Sequence, residues 1–169
     1  MSTRETVCLC VRDSKLNDKE PYMLDNNHVS VGNAGEYFVA GELERHGFTV
    51  AVPMSNVKDF DILAISRTSY KQYAIQVKTT QTKNNSWPLK KKNETLRGDN
   101  IFYVFVSLNE MDSPEYHIVP SHVVADTIAS EHKKWLDTPG KNGQQHNDSD
   151  IRKFSDEGNL YLDKWDYLK

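Results

Sequence analysis

Residues 58–79 of this chain, KDFDILAISRTSYKQYAIQVKT, limit its fold more than any other stretch. Two apolar runs of strand length, 60–66 and 72–79, flank a short polar turn, so an antiparallel hairpin is their natural pairing. Side chains alternate across a strand. Asp59, Asp61, Leu63 and Ile65 share one face of the first run, and Ala74, Gln76 and Lys78 share one face of the second. Polar groups set into core-like strands are costly to bury without partners. Asp61, Gln76 and Lys78 therefore call for a common target.

The flanking segments read as an α/β domain with a mixed sheet. Residues 33–46, NAGEYFVAGELERH, form a helix closed by Gly47. Positions 36, 39, 40 and 43 share its inner face. Val39, Ala40 and Leu43 make that face apolar, and Glu36 lies at its N-terminal end. Glu36 has two readings. It has capping-box spacing from Asn33, or it projects toward the hairpin. Gly35 and Gly41, poor helix formers, point to close packing of this helix. Residues 48–52 are a short strand. Residues 101–108 are apolar on both faces and belong inside the sheet. Residues 115–120 are a further strand, and 121–136 a helix capped by Ser121 with Val124, Ile128 and Trp135 buried. Residues 80–100 read as a long basic loop, and 137–159 as mostly surface loop. The closing LYLDKWDYLK docks its aromatics on the domain. The expected organisation is an N-terminal arm (1–30), a core (31–136), and a C-terminal polar loop and docking segment (137–169).

Composition excludes several classes. A chain of 169 residues buries a real core without disulfides. It has no apolar run near the roughly 20 residues that span a membrane, and its first residues lack a signal-peptide stretch. A cytoplasmic location is the expectation. Cys8 and Cys10 are too close in sequence for a mutual disulfide. The six histidines show no zinc spacing. Ser121 and His122 lack the glycines of a nucleophile elbow, and no phosphate-binding loop or dinucleotide fingerprint is present.

Net charge is −3 but unevenly spread. Residues 71–98 hold seven basic side chains and one acidic, a net of +6, which leaves −9 for the remainder. A basic segment on an acidic body steers a polyanion to one face. The plain alternative is a solvated loop. Lys83, Trp87, Lys90, Lys91, Lys92 and Arg97 are the candidate nucleic-acid contacts. Trp87 either stacks on a base or anchors the loop to the core.

The hairpin set suits phosphodiester hydrolysis. A hard cation such as Mg²⁺ or Mn²⁺ takes oxygen ligands. Asp61 supplies a charged oxygen, and Gln76, with the Val77 carbonyl, supplies neutral ones. Lys78 can orient a water or stabilise charge on the phosphoryl oxygens, and Glu36 can complete the site from the helix. Each has a structural alternative. Asp61 can be a turn residue, and Gln76 and Lys78 can line a solvated face.

GNAGEYFVAGELERHGFTV, then DFDILAIS, then YAIQVKT resembles the PD-(D/E)xK nuclease superfamily. It is similar to the QxK variant found in Mrr-like restriction enzymes and related small endonuclease families. The resemblance implies a restriction-endonuclease-like core, a mixed central sheet flanked by helices. It implies a divalent-metal-dependent endodeoxyribonuclease with Glu36, Asp61, Gln76 and Lys78 as catalytic residues, the first three holding Mg²⁺ or Mn²⁺. Implied partners are DNA and a second copy of the chain or a larger defence complex. It also admits a catalytically inert domain that binds nucleic acid or protein. Three departures stand. Phe60 replaces the proline of the motif, Asp59 competes with Asp61, and no helix is evident between the third and fourth strands.

Overall fold

The computed structural model describes residues 28–53 and 60–169. The readings of Cys8, Cys10 and Asp59, and most of the N-terminal arm, lie outside those residues. Helix α1 (His28–Arg45) is followed by strands β1 (Phe48–Ala51), β2 (Ile62–Ser66) and β3 (Gln72–Thr80). Strand β4 (Ser86–Lys90) leads into a 3₁₀ turn, Lys91–Glu94. Strands β5 (Ile101–Ser107) and β6 (Glu115–Pro120), helix α2 (Ser121–Asp137), strand β7 (Ile151–Ser155) and a 3₁₀ turn, Trp165–Leu168, complete the order.

The main sheet runs β1-β2-β3-β5-β6. All its neighbours are antiparallel except β3 and β5, which are parallel. The 67–71 turn is too short for anything but the antiparallel β2–β3 hairpin, registered as Ile62↔Ile75. A parallel pair instead needs a crossover, most often a helix. Here the crossover carries β4, which pairs antiparallel with β7 as a separate two-stranded ribbon. The fold is thus a mixed α/β sheet flanked by helices, as the sequence implies, without a crossover helix.

Two apolar layers sandwich the sheet. On one face Val39 and Leu43 of α1 pack on Ile62, Ala64, Ile75, Val77 and Val104, with Trp165 and Leu168 from the chain's end. On the other, Trp87, Leu89 and Phe154 of the ribbon and Val124 and Ile128 of α2 cover Tyr103, Phe105 and Val119. Strand β5 contributes to both layers, which is why it is apolar on both faces.

Four expectations need correction. The 80–100 segment is not a loop. Trp87 and Leu89 alternate inward along β4, and Asn93 of the 3₁₀ turn is buried on the Tyr103 hydroxyl at 2.9 Å. The 137–159 segment is mostly exposed, as expected, but not all loop, because 151–155 form strand β7 with Arg152 and Phe154 buried. Ser121 does not cap α2. Its fully buried hydroxyl accepts from Gly98 N–H and donates to Gly98 C=O, both at 3.1 Å. Trp135 leaves the buried stripe near the end of α2. It is 43% exposed and stacks on His146.

No helix among the described residues is long and apolar enough to cross a membrane.

Candidate active site

Helix α1 begins at His28, five residues before the expected start, so Asn33 and Glu36 lie inside it. A capping box needs its first residue at the helix boundary, so that reading of Glu36 fails. What places Glu36 is the glycine beside it. Gly35 is buried against β3, and a Cβ there would overlap Thr79 Oγ1 and lie 2.9 Å from Thr79 Cβ and Cγ2. Only a residue without a side chain lets α1 approach β3 this closely. The far end of α1 is held separately. Arg67, just after β2, donates to the carbonyls of Glu44 (2.8 Å) and Phe48 (2.7 Å) and to the Glu44 carboxylate (2.6 Å).

Asp61 sits one residue before β2, where the ladder to β3 ends. It stays tied to β3 twice. Its N–H donates to the Ile75 carbonyl at 2.8 Å, and its Oδ2 accepts the Val77 N–H at 2.7 Å. The carboxylate takes the place of a strand partner that β2 does not reach. In a strand, a residue's N–H and C=O point to the same edge. Because Val77 directs its N–H at Asp61, its carbonyl also faces this edge.

Gln76 and Lys78 flank Val77 on β3, opposite Tyr103 and Phe105 in the ladder. Gln76 is buried at 8% exposure, and Lys78 is half-buried. Among the described residues Lys78 forms no ion pair within 4.0 Å, unlike Arg67 or Lys83. The Glu36 carboxyl is pushed above its usual range by burial first and by the Asp61 carboxylate second, with the Lys78 ammonium opposing both. Asp61, at a strand entrance, and Lys78, in a strand interior, thus both act electrostatically on Glu36 of the helix.

The oxygens that these residues carry are hard donors: the Asp61 carboxylate, the Gln76 amide, the Val77 carbonyl and the Glu36 carboxyl. They suit a hard divalent cation, and a cation between the two acids would offset their repulsion. Among the described residues no three His, Cys, Asp or Glu side chains cluster as a metal site. The set has two acids and fills its third place with an amide.

The predicted nucleic-acid contacts divide. Trp87 is fully buried, donates its indole N–H to the Val106 carbonyl at 3.0 Å, and packs on Phe105 and His117. It anchors β4 and is closed to a base. Lys83 pairs with Glu115 at 2.9 Å, Lys91 with Asp148 at 2.8 Å and Arg97 with Asp126 at 2.8 Å. Lys90 and Lys92 are exposed with no ion pair among the described residues. Sequence reasoning missed Lys153, which the β4–β7 register brings beside Lys90. It also missed the buried Thr79 hydroxyl, which has no hydrogen-bond partner. Neither carries a local signal, since each depends on a contact between segments distant in sequence.

No protein-family model matches the chain, and no curated protein matches it by sequence. Among solved structures it is similar to a bacterial homing endonuclease, I-Ssp6803I, with a TM-score of 0.49 and 13% identity over 83% of this chain and 90% of that one. It is also similar to Hjc, a Holliday junction resolvase from the archaeal hyperthermophile Archaeoglobus fulgidus. That match has a TM-score of 0.43 and 16% identity over 74% of this chain and 84% of the other. At these identities the likeness concerns the fold alone.

Proposed function

We propose that this chain is a metal-dependent nuclease that hydrolyses phosphodiester bonds in DNA. The observation that supports the reading is that the Asp61 carboxylate is bonded to Val77, between Gln76 and Lys78, at the edge where β2 stops pairing with β3, with the Glu36 carboxyl near enough to feel both Asp61 and Lys78. Asp61, Gln76 and Glu36 hold Mg²⁺ or Mn²⁺, with the Val77 carbonyl as a further oxygen. The ion, when bound, polarises the scissile phosphate and lowers the pKa of a coordinated water.

The protein's own groups do the rest. The Val77 N–H fixes one Asp61 oxygen and leaves the other free to turn toward the ligand site. Lys78, without an ion-pair partner among the described residues, offers its ammonium to the attacking water or to the charge developing on the phosphoryl oxygens. Glu36 completes the donor set from α1, at a position set by Gly35 on Thr79.

The test is cleavage of plasmid and oligonucleotide DNA with Mg²⁺ or Mn²⁺. Cleavage by the wild type and its loss in Asp61→Ala are expected. Equal results for the two proteins would sink the proposal.

A second reading, an inert nuclease-like domain that binds nucleic acid or protein, is favoured by one observation. An amide stands where a third acid would add charge, and an amide is the weaker ligand for a hard cation. Calorimetric titration with Mn²⁺ separates the two. Binding that disappears in Asp61→Ala supports the nuclease, and no binding by the wild type supports the inert domain.

A further inference from the structure

The ribbon formed by β4 and β7 has an inner face and an outer face. Trp87, Leu89, Arg152 and Phe154 point inward and are buried. The outer face carries Ser86 and Ser155, then Pro88 opposite Lys153, then Lys90 opposite Ile151. Lys90 and Lys153 are diagonal neighbours, about 7–8 Å apart by ladder geometry. Lys92 follows in the 3₁₀ turn. These three lysines are exposed and make no ion pair among the described residues, whereas Lys83, Lys91 and Arg97 are each matched by a carboxylate. A cation already paired at close range has less to offer an incoming anion. Lys71, Lys133, Lys141 and Lys164 are also exposed and without an ion pair among the described residues, but they stand on separate elements, whereas Lys90, Lys92 and Lys153 lie together on one surface of a chain whose net charge is negative.

That surface is firmly held. Buried Arg152 bonds to Glu94 and to the Ser149 carbonyl, and Lys91 bonds to Asp148, so β7 is locked to the turn that follows β4. The ribbon also covers the sheet face on which Gln76 and Lys78 lie, since its Trp87 packs on Phe105, the ladder partner of Lys78.

We infer that the outer face of the β4–β7 ribbon is a docking surface for double-stranded DNA, contacting its phosphates through Lys90, Lys92 and Lys153. Resting on the nuclease reading, it names the substrate class as duplex. Single-strand binders rely on exposed aromatic rings that stack bases, and the ribbon's outer face has none: its two aromatics, Trp87 and Phe154, both point into the core. A two-stranded ribbon also fits the major groove, which is roughly 12 Å wide.

The test measures binding by fluorescence anisotropy in the Asp61→Ala background without added metal, using a labelled duplex and a single strand of the same length, over a range of salt concentrations. Lys90→Ala, Lys92→Ala and Lys153→Ala together are expected to weaken duplex binding more than tenfold. They are also expected to flatten the plot of log affinity against log salt, by roughly 0.9 per lost phosphate contact. Lys141→Ala, in an exposed loop beyond α2, serves as the control and should bind as its parent does. Equal duplex affinity for the triple variant and its parent, or single-strand binding as tight as duplex binding, overturns the inference. Cleavage is read separately in the wild-type background. Duplex binding through the three lysines with no cleavage sinks the nuclease reading and leaves the ribbon standing. Cleavage with duplex affinity unaffected by the lysines does the reverse.

Discussion

Gly35 of α1 rests directly on Thr79 of β3, and this contact sets how closely α1, which carries Glu36, approaches the sheet. The Gly35→Ala methyl would overlap the Thr79 hydroxyl, so the helix must shift or Thr79 must turn. Overpacking of this kind costs about 1–3 kcal/mol. Gly35→Ala should lower the denaturant midpoint by a corresponding amount and reduce cleavage beyond what the fraction folded explains. Thr79→Ala removes two of the three atoms that clash, and its hydroxyl has no hydrogen-bond partner to lose. The double variant should regain part of both losses, a coupling that a double-mutant cycle measures. Strict additivity would remove the contact from the explanation.

Asp61 has a structural duty as well as a proposed chemical one. Asp61→Asn keeps an oxygen for the Val77 N–H, while Asp61→Ala leaves that donor without its partner. Urea unfolding should place Asn within about 1 kcal/mol of wild type and Ala about 1–3 kcal/mol below it. Cleavage should fall roughly 100-fold or more in both, because both lose the charged ligand. Activity that follows stability instead, kept in Asn and lost in Ala, would limit Asp61 to its structural duty.

Lys78 should separate chemistry from binding. Lys78→Met keeps the aliphatic stem and removes the ammonium. Cleavage should drop roughly 10²–10³-fold, the range for losing one positioned electrostatic group, while Mn²⁺ titration still shows a bound ion. Wild-type turnover in this variant would exclude Lys78 from the reaction.

Trp87 is the test of a corrected reading. Trp87→Ala should cost about 3–5 kcal/mol, as for other buried aromatics. Trp87→Phe keeps most of the packing but gives up the 3.0 Å bond to the Val106 carbonyl, at about 1–2 kcal/mol. The Phe variant, once folded, should bind DNA as wild type does. A selective loss of DNA affinity there would return Trp87 to the nucleic-acid surface.

Tyr116 supplies an alkaline limit. Burial, with smaller contributions from Glu42 and Asp163, pushes its phenol up to about 12 from an ordinary value near 10. Between those values the folded protein holds a proton that the unfolded chain releases, so stability falls as pH rises. The contribution is whole below about pH 10 and lost by about pH 12, on the order of 2 kcal/mol. Thermal melts of Tyr116→Phe, which has no proton to lose, should decline less over that window. Parallel declines in the two proteins would show that another group governs the limit.

The central hairpin was readable in the sequence because its information is local. The alternation of 60–66 and 72–79 and the short turn between them leave one antiparallel pairing, and the doubly apolar 101–108 run is at home only inside a sheet. The composition of Asp61, Gln76 and Lys78 was equally plain, since polar residues in such strands stand out. The sequence misled where long-range pairing overrides composition. Residues 86–90 and 151–155 are polar enough to read as loops, yet each buries alternate side chains once they meet, and neither has a reason to be a strand alone. The fate of Glu36 was also undecided by sequence, because the Asn33 spacing fits a cap as well as a site residue.

By itself, then, the sequence determined the hairpin, the interior strand and the identity of the polar set, all consequences of side-chain periodicity over a few residues. Only the tertiary structure decided that Glu36 comes within electrostatic reach of Asp61, that Trp87 is closed to a ligand, and that Lys153 joins Lys90 and Lys92. Those outcomes depend on where α1 and the ribbon dock. Docking is set by contacts such as Gly35 on Thr79 and Trp87 on Phe105, whose partners lie too far apart in the chain for any local pattern to announce them.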